Sequence, residues 1–335
     1  MPRQWYTDGA TMPLKGSNAN RKPNLILLPV SIAASSKDLN WRDVSVFREM
    51  KKKNNMDNLM KSFIEVAGKI AFLLYGQDSR HAAPSIQILG EDIVLTIFDR
   101  GGSLSTAPFS IHEDPEFFLR LLVSLSTSPL HKIRFDESVI WDEKLKKKWM
   151  LVTWMGGGKM ENEIILEQVI FIADSLLGHG TTVWGSLMCV TWPTWEWVII
   201  KDSWIDLMWK YTKGSILAKL NDAKVEGVPQ FIHEQQVETP HPSCPGMINY
   251  STYTLHALMH CKTDCHYHLH VLCHLITQPV CTSVMEFSSL AELLVLFIDY
   301  VLSTSYFFLP IVHLAHERHS SQGCYWQSEH SSLWH

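Results

Sequence analysis

Apolar and polar positions along this chain repeat with two different periods, and the changes of period mark its elements. Leu25 to Val30 is an apolar run of strand length, and the stretch from Val44 (VSVFREMKK) alternates apolar with polar residues, so both read as strands. Met56 to Tyr75 shifts to helical spacing, with Leu59, Met60, Phe63, Ile64, Ala67, Ile70, Ala71 and Leu74 on one broad face. PSIQIL and DIVLTIFD, separated by Gly90-Glu91, predict a β-hairpin, and Pro115 opens a helix through EFFLRLLVSLS. The order is strand, strand, helix, hairpin, helix: an α+β unit.

A lysine-rich stretch, Lys144 to Lys148, and the triple glycine Gly156 to Gly158 read as a linker. A second strand-rich region begins near Ile164, where IILEQVIFIAD, TTVWGSLMCV and WEWVIIKDSW predict three strands joined by turns. A helix from about Gly214 to Glu226 follows, then a loose Pro- and His-rich stretch, a strand near His268 to Ile276, and the helix FSSLAELLVLFIDYVL. The expected division is a loose polar tail over 1–20, an N-terminal α+β domain over 21–155, a second domain over 164–302 and a tail over 303–335.

Composition narrows the class. With 335 residues there is room for two domains, and 46% hydrophobic against 19% charged residues is globular rather than disordered. A net charge of −5 gives no reason to expect nucleic-acid binding. The N-terminal MPRQWYTDGATMPLKG lacks the apolar core of a signal peptide. An odd count of seven cysteines then indicates reduced thiols and an intracellular protein of cytoplasm or nucleus. Leu293 to Ala315 is long enough to cross a bilayer, but Pro310 and the polar Ser303 to Ser305 interrupt it and no basic cluster flags one side. A buried helix followed by an apolar strand or loop is the expectation, with membrane attachment through 293–315 as an alternative.

Candidate chemistry centres on LLGHGTTVW, Leu176 to Trp184. Gly178 and Gly180 sit between two expected strands, where a missing side chain lets backbone amides approach a phosphate. An ordinary hairpin turn more often explains such glycines. VIIK, Val198 to Lys201, is an apolar strand ending in lysine, which is either a solvated strand end or a phosphate-pairing lysine. Protein kinases use this order, a glycine-rich hairpin followed by a strand lysine.

The ordered series LLGHGTTVW, WVIIKDSW, a helix and EGVP (Glu226 to Pro229) resembles the N-lobe of the fungal-type protein kinase family. RKPNLILLP, WRDVSVFREMK, a helix ending in GQDSR, and IFDRGGSLS are similar to its N-terminal half, so the likeness covers roughly residues 21–300. The resemblance implies ATP-dependent phosphoryl transfer to protein Ser/Thr, and an ATP site with Mg2+ lined by Gly178, Gly180, Thr181, Val183 and Lys201. Three departures bear on activity. Thr181-Thr182-Val183 stands where a third glycine is usual. KGSIL (Lys213 to Leu217) replaces a pattern like EGEIL, so that Ser215 stands where a glutamate would orient the lysine. No His-Arg-Asp loop and no Asp-Phe-Gly metal motif occurs. The expectation is a kinase-like N-lobe with an incomplete C-lobe, inactive as given, with a non-catalytic scaffold for an unknown protein partner as the alternative. One permissible coding of Ser321 to Trp326, read one base later, gives His-Arg-Asp-Val-Ile-Gly. The tail is accordingly expected to be a frame-shifted catalytic loop, with Ser303 to Val312 a translated intron.

Two further patterns carry chemistry. KPNLILL followed by FREMKKK resembles the PD-(D/E)xK nuclease pattern, in which an aspartate and a glutamate hold a metal and a lysine orients water. Glu49 and Lys51 supply the Glu-x-Lys pair on one strand face, but Asn24 stands at the aspartate position, so a nuclease-like fold without a working site is expected. Cys261, Cys265, His266, His268, His270, Cys273 and His274 have zinc-type donors, but no Cys-x-x-Cys pair, and read as a strand with a histidine face.

Overall fold

The computed structural model describes residues 2–7, 12–16, 20–33, 39–142, 144–155, 159–173, 175–191, 194–240, 246–249, 251, 270–280, 287–295 and 297–298. β1 (Arg3–Tyr6), β2 (Leu25–Pro29), β3 (Val46–Lys51), β4 (Ala83–Leu89), β5 (Asp92–Asp99), β6 (Gly102–Ser105) and β7 (Phe109–Ser110) form one sheet of seven strands. Its order is β1-β2-β3-β4-β5-β6, with β7 also on β5. The pairings are antiparallel except β3 with β4, which run parallel. A parallel pair needs a long crossover, supplied here by α2 (Met56–Gly76), whereas a one-turn α1 (Val30–Ala33) only ends β2.

Ile26, Leu27 and Leu28 of β2 are all fully buried, which requires cover on both faces of the sheet. On one face α2 packs Val66, Ile70, Leu73 and Leu74 against Ile26, Leu28, Phe47 and Phe98. On the other, α3 (Pro115–Thr127) brings Leu125 to Leu27, Val46, Ile86, Ile88 and Ile93. Both helices begin as their sequences direct. Asn55 accepts from the Asn58 amide at 2.8 Å, and Asp114 accepts from the Phe117 amide at 3.1 Å ahead of Pro115.

The second sheet also has seven strands, in the order β13-β16-β12-β11-β10-β9-β8. These are β8 (Val139–Asp142), β9 (Lys147–Met155), β10 (Lys159–Ile172), β11 (Thr182–Thr191), β12 (Thr194–Asp206), β13 (Gln230–Gln236) and β16 (His270–Gln278). α4 (Lys213–Asp222) lies between β12 and β13 in the chain, and β14 (Glu238–Pro240) pairs with β15 (Met247–Asn249). One face of the sheet holds an apolar cluster of Met150, Val152, Ile164, Leu166, Trp184, Met188, Val198, Ile200 and Ile276.

Several elements depart from the sequence reading. Within residues 1–20, Arg3–Tyr6 is a strand because Arg3 donates to the Leu125 carbonyl at 2.9 Å and Arg48 lies 3.8 Å over the Trp5 ring. The lysine-rich stretch is not a bare linker: Lys147 enters β9 and pairs with Glu167, while Lys148 reaches Asp78 at 2.6 Å. The second sheet therefore starts at Val139, ahead of Ile164. α4 ends at Asp222 rather than Glu226, with Lys224 in the left-handed region at φ 54°.

The chain packs as two compact units, Met1–Gly214 with Ile232–Val280, and Ser215–Phe231 with Cys281–His335. The first holds both large sheets. In the second, Leu290 to Val295 is helical. No helix among the described residues is long and apolar enough to cross a membrane. Gly156 to Gly158, residues 303–335, and most of 293–315 lie outside the described residues.

Candidate functional site

Residues 173–181 join β10 to β11, and this is the turn that carries Gly178 and Gly180. Both have positive φ, 93° and 46°, which favours glycine over residues with a Cβ. The Ala173 amide closes the base of the turn on the Thr181 carbonyl at 2.8 Å. Val183 pairs directly with Lys201 across β11 and β12. The five residues expected to line a nucleotide site thus lie in one turn and two adjacent strands.

Alternation along β12 sends Val198, Ile200, Asp202 and Trp204 to one face and Lys201 to the other. Lys201 is half-buried, and burial together with the ammonium of Lys213 lowers its pKa. No ion pair joins Lys201 to a carboxylate of another described residue. At the start of α4, Glu234 of β13 instead accepts from the Gly214 amide at 3.1 Å and from the Thr212 hydroxyl. The lysine that would pair with phosphate therefore faces a like charge. Among the described residues no group of three or more His, Cys, Asp or Glu side chains is placed to hold a metal ion.

The glycine turn is bound to the N-terminal sheet. The Gly178 amide donates to the Arg100 carbonyl at 3.0 Å. The Arg100 guanidinium donates to the carbonyls of Ser175 and Leu176. A Cβ on Gly180 would lie 2.8 Å from both Cδ and Cζ of Arg100. Leu176 packs onto the α2-side core of the N-terminal sheet. His179 exchanges two bonds with Trp204: its carbonyl accepts from the Trp204 amide at 2.8 Å, and its Nδ1 donates to the Trp204 carbonyl at 2.7 Å.

Beside the turn is a buried ionic chain that composition and spacing did not reveal. His274 of β16 places Nδ1 2.7 Å from Asp202 and Nε2 3.5 Å from Asp136. Asp136 also accepts from the Ser138 hydroxyl at 2.7 Å and lies 3.5 Å from His81. Burial alone would lower the pKa of His274, but the charge of Asp202 and the bonds to both aspartates push it up to about 10. Burial opposes ionisation of Asp136, yet His274 and His81 hold it well below the usual carboxylate range. A polar cavity of about 20 Å³, room for about one water, lies among His81, Arg100, Asp136, Thr182 and Asp202.

The motif GQDSR is consumed by the same junction. Gln77 donates to the carbonyls of Trp41 and Val44, Asp78 pairs with Lys148, and the Ser79 carbonyl accepts from the Asp136 amide. Arg80 is buried and donates to four carbonyls and to Gln77. Asp99 of IFDRGGSLS accepts from the Gly101 amide at 2.8 Å and shapes the turn that presents Arg100.

In the N-terminal sheet, Glu49 and Lys51 point to the α2 side of β3. Glu49 is buried against the Lys69 ammonium, and Lys51 binds Glu65 at 2.8 Å. Burial pushes the Glu49 carboxyl up against the pull of Lys69. Asn24 turns its Oδ1 to the Met50 amide at 2.8 Å, a backbone role. Of the cysteine–histidine group, Cys261, Cys265, His266 and His268 lie outside the described residues. His270, Cys273 and His274 sit on β16. Cys273 packs with Ile205 and Val271 while His274 points to Asp202 on the opposite face.

Two sheets with few helices, a glycine turn, a strand lysine one strand away and a following helix are compatible with a protein-kinase-like fold. The family model for fungal protein kinases matches residues 22–309, and the chain belongs to that family. No curated protein and no solved structure matches it.

Proposed function

We propose that this chain is a kinase-family module that binds ATP weakly through the β10–β11 turn and Lys201 and does not itself transfer the phosphoryl group. The carrying observation is the pairing of Lys201 with Val183, which sets a half-buried ammonium one strand from a turn with two positive-φ glycines. Affinity is weak because Lys213, rather than a carboxylate, neighbours that ammonium and because the Gly178 amide already has an acceptor. Transfer fails because the 335 residues contain neither His-Arg-Asp nor Asp-Phe-Gly, the groups that position the hydroxyl and neutralise the phosphoryl. The remaining role is that of a scaffold for a protein partner.

Titration with a fluorescent ATP analogue tests this. The expected Kd is weaker than about 100 µM, with binding lost in Lys201→Met. No labelled phosphate should reach the chain or a Ser/Thr substrate. Low-micromolar binding, or any Lys201-dependent transfer, overturns the reading.

We further propose that the N-terminal half is a nuclease-like fold without metal chemistry. Lys69 already supplies the cation that neutralises Glu49, and Asn24 is spent on a backbone amide. Millimolar Mn2+ is expected to leave the thermal midpoint of the chain unchanged, and equally unchanged in Glu49→Gln. A rise seen only with Glu49 present would establish a metal site.

A further inference from the structure

We propose that the N-terminal sheet is a built-in brake on nucleotide binding, applied by Arg100 to the glycine turn. The inference rests on the nucleotide reading of that same turn. A phosphate-cradling turn needs free amides and the space that glycine leaves. Here Arg100 takes both: its carbonyl holds the Gly178 amide, and its side chain fills the space beside Gly180. Its guanidinium also ties the carbonyls of Ser175 and Leu176, and Leu176 is anchored in the N-terminal core. Arg100 is itself buried, so this is packed structure rather than a surface contact.

The direction of the pull gives the sign. The cavity that Arg100 shares with Gly180, Thr182, Asp202 and Trp204 lies on the Asp202 face of β12, opposite Lys201. The turn is held toward the face away from the lysine that phosphates would meet. ATP can engage the turn and Lys201 together only when the Arg100 contacts open, and the opening cost is subtracted from its affinity.

The test uses the full chain as wild type, Arg100→Met and Arg100→Lys. Methionine keeps an apolar stem but no donors. Lysine keeps the charge but cannot fork to two carbonyls, and it serves if methionine fails to fold. ATP-analogue titration and hydrogen exchange over residues 173–183 are read together. The brake predicts at least about a fivefold gain in affinity and faster turn exchange in the Arg100 variants. Equal or weaker binding in the variants, with wild-type binding still lost on Lys201→Met, overturns the brake and leaves the nucleotide reading standing. Absence of binding in every variant sinks the nucleotide reading, and the brake with it.

Discussion

Replacing His274 with alanine is expected to lower the stability of the chain by about 3–5 kcal/mol, measured as a fall in the urea midpoint. The side chain is wholly buried and joins Asp202 to Asp136. Its removal leaves two buried carboxylates without the cation between them, and that penalty exceeds the loss of the contacts themselves. The pH dependence identifies the charge as the cause. His274 is pushed up to about 10 in the folded chain from an ordinary value of 6.5. The native state therefore keeps a proton that the unfolded chain releases. The contribution is whole below about pH 6.5 and is lost as pH rises through about 10. On the acid side Asp136 is held well below 3.8, so its share is lost only as pH falls beneath that value. The wild-type midpoint should thus decline from neutral pH toward pH 10, and His274→Ala should remove that slope. A loss under about 1 kcal/mol with the slope intact would contradict the ionic chain.

Arg80→Met is the second large effect. Arg80 donates to Ala82, Val44, Ser45 and Ile133 carbonyls at 3.0, 3.3, 2.6 and 3.3 Å and to Gln77 at 2.7 Å. Methionine fills part of the volume but donates nothing, so four buried backbone carbonyls from three segments, and the Gln77 side chain, lose this partner. At about 1 kcal/mol for each bond, the loss approaches the whole margin of an ordinary domain, roughly 5–15 kcal/mol. The expected outcome is loss of a cooperative urea transition and of near-UV circular dichroism. Arg80→Lys should fare only slightly better, because one ammonium cannot reach carbonyls spread around a planar fork. A cooperative transition within about 1 kcal/mol of wild type would show the carbonyls to be satisfied without it.

What the sequence disclosed depended on range. α2, the β4–β5 hairpin and the Pro115 helix start are set by neighbours a few positions apart, and each was readable from spacing. The glycine turn and Lys201 were readable because their strands adjoin in the chain. β1 was hidden because its four residues gain their stability from Arg48 and the Leu125 carbonyl. β9 was hidden because its lysines look solvated until Asp78 and Glu167 arrive from elsewhere in the chain. The His274 chain joins positions 72 and 138 residues apart, and no local pattern marks such a pair. GQDSR and IFDRGGSLS were visible as motifs, but their work, joining one sheet to the other, follows only from the packing.

The strand order of the second sheet bears on synthesis. β16 lies between β12 and β13, although β13 precedes it in the chain. Until residues 270–278 emerge from the ribosome, β12 presents an open edge and β13 has no neighbour to join in this sheet. A nascent chain therefore carries an adhesive edge through the synthesis of more than sixty residues between Asp206 and His270. Premature termination in that interval would yield a fragment with the β12 edge uncovered.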